Sequence, residues 1–207
     1  MNLPGRGFIA RAFAPFLRSK PPAAETVVIP ADETRLRLIE PSSEYVADLV
    51  AMSKEYVEHG TKQDRERYSL ALKDPLGYIA RAIDHGEGKN LPEGYVRQKT
   101  FWLVRDDGRI LANSRLRFEL TPFLEHEGGH IGYSTRPSER RKGYGTIVCK
   151  LTFQRAKSLG FKRILITCDE DNVASARIIE KNGGRYENTV LSRETRKPKR
   201  RYWVDLA

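Results

Sequence analysis

From Thr34 onward, apolar and polar positions follow a regular pattern. Between Thr34 and Ile39, Leu36 and Leu38 alternate with Arg35 and Arg37, the period of a half-buried strand. Ser42 then precedes Tyr45, Val46, Leu49, Val50 and Met52, and Gly60 follows His59. This pattern predicts a capped amphipathic helix with a glycine stop. A second helix is expected from Pro75 to Asp84, ended by Gly86 and Gly88, and then a loop from Asn90 to Gln98. Phe101–Val104 and Arg109–Leu120 read as strands around Asp106-Asp107-Gly108, a hairpin signal. Gly128-Gly129 precedes a strand from His130 to Thr135, and a basic, glycine-rich loop leads into a helix from Gly145 to Leu159. Arg163–Cys168 is a strongly apolar strand, and Asn172 opens a helix that ends at Gly183-Gly184. The last strands are Tyr186–Leu191 and Arg201–Leu206. The order β α α β β β α β α β β contains no repeat. It predicts an α+β fold with a mixed sheet, because the late β-α-β passage requires a right-handed parallel crossover.

Composition sharpens this picture without changing it. The chain has 207 residues, 39% of them hydrophobic, enough for one domain with a core. No apolar run approaches the roughly 18 residues of a membrane span. Lys and Arg outnumber Asp and Glu by 37 to 27, a net charge of +10 that suits an anionic partner: a polyphosphate cofactor, a nucleic acid or a membrane surface. Residues 1–24 contribute +4 and contain no acidic residue. Residues 1–30 are expected to form a flexible basic extension before a domain at 31–207. Phe8–Leu17 could form a short amphipathic helix, and an organellar transit peptide is Arg-rich and acid-poor in the same way. The cytoplasm is the default compartment, and an organellar matrix is the alternative if 1–24 is such a peptide. Cys149 and Cys168 are the two cysteines, with no CxxC, so a disulfide framework and a zinc site are both disfavoured.

Candidate chemistry concentrates at His130–Thr146, HIGYSTRPSERRKGYGT. A strand runs into a turn bearing Arg140, Arg141, Lys142, Gly143, Tyr144 and Gly145, and a helix begins there. Glycines let the backbone approach a ligand closely, and the helix start directs free amides and the positive dipole end into the same space. Such an arrangement holds a pyrophosphate. GxxxxGK[ST] is absent. GxGxxG fails because position 148 is Val.

Arg140-x-x-Gly143-x-Gly145, after a strand and a Pro-containing turn, resembles the acyl-CoA-binding motif of the GNAT superfamily of N-acetyltransferases. Asn172-Val-Ala-Ser175, after the strand Ile164–Cys168, is similar to the family's second CoA-contacting segment. The resemblance covers Thr34–Leu206 and is sharpest at 130–184, where it extends to a bacterial branch of predicted acetyltransferases of unassigned substrate. It implies a GNAT-like, mostly antiparallel sheet flanked by helices, with a β-α-β-α-β-β C-terminal half. It further implies an acetyl-CoA-dependent N-acetyltransferase acting on a primary amine of a small molecule or peptide, with no metal. Backbone groups of Tyr133, Ser134 and Thr135 would hold the pantetheine arm. The amides from Arg140 to Gly145, with Thr146, would hold the pyrophosphate. Asn172 and Ser175 would also contact the cofactor. Many members carry a Tyr seven residues after that Asn, where this chain has Ile179. Tyr133, Tyr186 and Tyr202 are the alternative acids. His130, Glu119, Glu125 and Glu127 are candidate bases, His130 because histidine titrates near neutrality. Against its catalytic role stands a histidine bonded to a neighbouring strand. Sheet-edge dimers occur in the superfamily, and the final strand could support one.

Two other readings compete. Ile179 suits a CoA-binding module without catalysis. The basic run Arg193, Arg196, Lys197, Lys199, Arg200 and Arg201 suits a nucleic-acid-associated protein, although solvated hairpin charge is the commoner explanation. Asp169, Glu170 and Asp171 are explained by the electrostatics of the following helix start. The loop Leu91–Tyr95 is a candidate wall of the acceptor site.

Overall fold

The computed structural model describes residues 36–206. The extension 1–30, its stretch Phe8–Leu17 and the expected strand start at Thr34 lie outside the described residues. In chain order the elements are β1 (Arg37–Ile39), α1 (Val46–His59), α2 (Lys62–Lys73), α3 (Pro75–Glu87), β2 (Gln98–Val104), β3 (Ile110–Arg117) and β4 (Ile131–Thr135). Then come α4 (Tyr144–Ser158), β5 (Arg163–Asp169), α5 (Val173–Lys181), β6 (Arg185–Leu191) and β7 (Pro198–Asp205). Seven strands form one sheet in the order β1-β2-β3-β4-β5-β7-β6. Among the described strands, only β4 and β5 pair in parallel. The α+β, mostly antiparallel sheet flanked by helices is the one expected, including its β-α-β-α-β-β C-terminal half.

Both faces of the sheet are covered, which explains why β2 reads as a continuous apolar run. Phe101 and Leu103 pack with α4 and α5 residues such as Val148, Phe153 and Ile179. Trp102 and Val104 point the other way, onto Leu49, Met52, Tyr56 and Tyr68 of α1 and α2. Each such side chain, fully buried, contributes about 1.5–3 kcal/mol.

Three departures from the expected elements have physical causes. Among the described residues there are three helices before β2, where two were expected, because α2 is mostly polar and buries only Asp64, Tyr68 and Ala71. A reciprocal cap starts it: the Asp64 amide donates to Thr61 Oγ1 (3.2 Å), and the Thr61 amide donates to Asp64 Oδ2 (3.2 Å). The strand expected to reach Leu120 stops at Arg117, and Leu124–Gly128 forms a wide helical turn instead. The final strand β7 is interior, bonded on both sides, so the C-terminal edge of the sheet is β6.

Candidate active site

The centre of the site is an opening between β4 and β5, which pair at a single position, Ile131 with Ile166. Arg117 N–H donates to His130 O, and Arg136 N–H donates to Leu111 O. Antiparallel alternation therefore turns the even-numbered residues of β4 toward β3 and the odd-numbered ones toward β5. Beyond Ile131, the backbone groups of Tyr133 and Thr135 face the opening.

A turn then carries the chain from β4 to the start of α4. Arg141 (φ 61°) and Gly143 (φ 87°) both adopt left-handed conformations. No side chain caps α4. Among the described residues no carbonyl accepts from the amides of Arg141 to Gly145, so these donors converge at the positive end of a 15-residue helix. Gly145 permits the close fit of α4: a Cβ there would lie 3.0 Å from Ile178 and 3.3 Å from Thr135 Oγ1.

Ion pairs fix this turn to α1 and β3. Arg136 is buried, and its guanidinium meets Asp48 (2.9 Å) and Glu55 (2.7 Å) of α1 and the Ile110 carbonyl (3.2 Å). Glu55 also accepts from the Ser138 amide. Glu139 is buried between Arg109 (2.7 Å) and Lys142 (2.9 Å). Burial pushes the Glu139 carboxyl up, but hydrogen bonds from Lys142 and Arg109 outweigh it and hold the pKa below 4.5.

On the opposite face of the sheet lies a cavity of about 800 Å³. β2 and β3 form its floor, α2 and α3 its roof, and Pro92, Gly94 and Tyr95 one wall, so the loop Leu91–Tyr95 does border a pocket. Arg67, Arg81, Arg115 and Arg117 line it. Arg115 stands in register with Gly132 of β4, and its Nη2 would lie 3.5 Å from a Cβ there. Arg115 thus stands between the cavity and the middle of β4. Beside it, Asn113 donates to Tyr68 (2.8 Å) and Ser134 (3.1 Å), and Tyr56 bonds Ser134 at 2.7 Å.

The structure brings Tyr133, Thr135, Gly145 and Ser175 together beside the opening, and Arg141, Lys142, Gly143 and Tyr144 form the turn and helix start that follow. Tyr133 Oη and Ser175 Oγ share a hydrogen bond of 2.9 Å. Burial raises the Tyr133 pKa well above 10. Thr146 offers only its hydroxyl, because its amide donates to Gly143 O. Asn172 caps α5 by accepting from the Ser175 amide, which leaves its side-chain NH₂ group as its donor. The exposed Arg140 reaches toward the His59 carbonyl of α1.

Several candidate residues do not fit. Ser134 turns its backbone toward β3 and its hydroxyl into the tyrosine network, so it offers nothing to the opening. Glu119 is exposed beyond the end of β3. His130 bridges strands: its amide donates to Leu165 O (2.7 Å), and its Nδ1 accepts from the Leu165 amide (2.9 Å). A neutral ring that accepts at Nδ1 carries its proton on Nε2 and has no lone pair left to act as a base. Burial, with Arg117 nearby, lowers its pKa below 6.5. Glu127 is buried and binds Ser192 and the Arg193 amide, a structural role. Ile179 lies in the core, and Tyr202 donates to Glu180. Tyr186 is exposed on β6.

The sequence reading missed Arg136 with its two carboxylates, the tyrosine network and the cavity arginines. One signal was present: Asn113, Arg115 and Arg117 share one face of their strand.

The family model described as Acetyltransferase (GNAT) domain matches residues 35–185. Compared with curated proteins, the chain has no significant match. Among solved structures it resembles the ribosomal L7/L12 alpha-N-protein acetyltransferase RimL in complex with coenzyme A, at TM-score 0.65 and 16% identity, covering 87% of this chain and 100% of that one. It also resembles the microcin C7 self-immunity acetyltransferase MccE in complex with acetyl-CoA and AMP (TM-score 0.57, 15% identity, 84% and 97% coverage). A third is a GNAT-family acetyltransferase from Bacillus anthracis (TM-score 0.57, 17% identity, 87% and 99% coverage). With the open β4–β5 pair, the uncapped start of α4 and a family match over most of its length, the chain belongs to the GNAT acetyltransferase family.

Proposed function

We propose that this enzyme transfers an acetyl group from acetyl-CoA to a primary amine. The observation that carries the reading is the convergence of unbonded amides from Arg141 to Gly145 at the start of α4, directly after the opening between β4 and β5. The residues present fit the cofactor. The amides and the exposed Arg140 and Arg141 would hold its pyrophosphate, and Tyr133 and Thr135 would bind the pantetheine arm through their backbones. Attack by the neutral amine nitrogen forms the C–N bond and breaks the C–S bond. The electron pair leaves on sulfur, and the amine proton passes to water. Tyr133, held by Ser175, is the hydroxyl best placed beside the opening to donate to the leaving sulfur.

Thermal unfolding with acetyl-CoA tests the cradle. A ligand that binds only the folded state adds about 2.7 kcal/mol at 100 times its Kd. Wild type is expected to shift upward. Gly143→Asp, which forces a side chain into a left-handed residue and adds negative charge, is expected to lose the shift. A wild type that fails to respond at saturating acetyl-CoA would remove the basis of the reading.

A further inference from the structure

We infer that the cavity under α2 and α3 selects an acceptor amine that also carries an anionic group, a carboxylate or a phosphate. The inference rests on the acetyltransferase reading of the site. Four arginines line the cavity against one carboxylate, Glu66. Their partners are weak or neutral. Arg81 pairs with the exposed Asp74 at 3.3 Å, and Arg117 donates to the carbonyls of Gly128 and Gly129. Arg115 has no ion pair among the described residues, and its Nε is buried without a hydrogen-bond partner. Native structures seldom leave such an atom unpaired. Burial, then the charges of Arg67 and Arg117, pull the Arg115 pKa down. A guanidinium nevertheless keeps its proton in proteins, so what relieves this site is an anion. A carboxylate or phosphate matches the guanidinium fork.

The position adds a reason. Arg115 lines the cavity and also lies over Gly132, in the middle of β4, the strand that borders the opening. An anion on Arg115 would leave the amine of a small acceptor next to that strand. The same arginines disfavour an ammonium ion at this spot. They would help to deliver the amine in its neutral, nucleophilic form, at a site where His130 and Glu119 cannot serve as the base. A polycationic amine would instead meet like charge.

The test compares thiol release from acetyl-CoA with four amines at fixed ionic strength: β-alanine, O-phosphoethanolamine, ethanolamine and spermidine. The expected result is a kcat/KM at least about tenfold higher for the two anionic amines than for ethanolamine or spermidine, equivalent to about 1.4 kcal/mol. Comparing the first two tells carboxylate from phosphate. Arg115→Gln is expected to abolish the preference while keeping the acetyl-CoA thermal shift. Its melting temperature should equal or exceed that of wild type, because an uncompensated charge has been removed. Equal or better use of ethanolamine or spermidine would overturn the proposal, as would an unchanged preference or a lower melting temperature in Arg115→Gln. If none of the four turns over, thermal shifts by the same amines decide. Stabilisation by the anionic pair that is lost in Arg115→Gln supports the proposal, and its absence refutes it. Failure of the acetyl-CoA shift alone strikes the cofactor reading instead.

Discussion

The turn and strand that follow β6 and the cavity under α2 and α3 both concentrate positive charge, yet they treat it differently. On the C-terminal hairpin, Lys199 meets Asp169 at 2.6 Å, Arg201 meets Glu187 at 2.9 Å and Lys197 meets Asp171 at 3.7 Å. Every one of these partners is partly exposed, and the pairs neutralise much of the run. In the cavity, Arg115 has no such partner, and two other arginines surround it. The difference shows that a count of basic residues says little about a ligand. Whether each charge is already paired says much more. The turn before α4 uses both modes, with Arg136 and Glu139 paired for support and the backbone amides left for a ligand.

The largest effect expected from breaking this comparison is at Arg136. Arg136→Met removes the cation that Asp48 and Glu55 share, leaving Glu55 only the longer pair with Arg109 (3.7 Å), and should cost about 3–5 kcal/mol in urea unfolding. A loss below about 1 kcal/mol would mean that the turn is not held this way. Glu139→Gln should cost less, about 1.5–3 kcal/mol, by weakening two charge-assisted hydrogen bonds. Because the folded pKa of Glu139 is depressed, its contribution is present above pH 4.5 and lost as the pH falls through the folded value. The acid limb of the stability curve should therefore flatten in the variant.

His130 sharpens the contrast between structural and catalytic groups. Its folded pKa is also lowered, so the unfolded chain binds the extra proton first, and stability should fall as the pH drops below 6.5. His130→Gln should reduce that slope while the neutral-pH limb of the kcat/KM profile keeps its shape. A lost titration in kcat/KM would restore His130 as the base. The smallest effect belongs to the hairpin: Lys199→Ala should change stability by about 0.2–1 kcal/mol, and less at high salt.

Periodicity, turn signals and glycine spacing made most of the element order, the crossover helices and the glycine-rich turn before α4 legible in the sequence. Those features are local, and each leaves a short-range mark. Helix α2 escaped because it is mostly polar and held by a cap and two buried residues rather than a broad apolar stripe. His130 looked catalytic because its residue type and strand face were visible, whereas its bond to Leu165 depends on a strand 35 positions away. The cavity depends on the same kind of distant pairing. Arg67 and Arg81 on helices approach Arg115 and Arg117 on a strand only after α2 and α3 fold over β2 and β3. No spacing within the chain announces that meeting.

The most direct test of the account is amine-dependent release of free thiol from acetyl-CoA by the wild-type protein. The account predicts release that requires both substrates, matches the acetylated amine one for one, and is fastest with an anionic amine. Saturable acetyl-CoA binding without thiol release for any amine, anionic, neutral or cationic, would contradict it and leave a protein that holds the cofactor without using it.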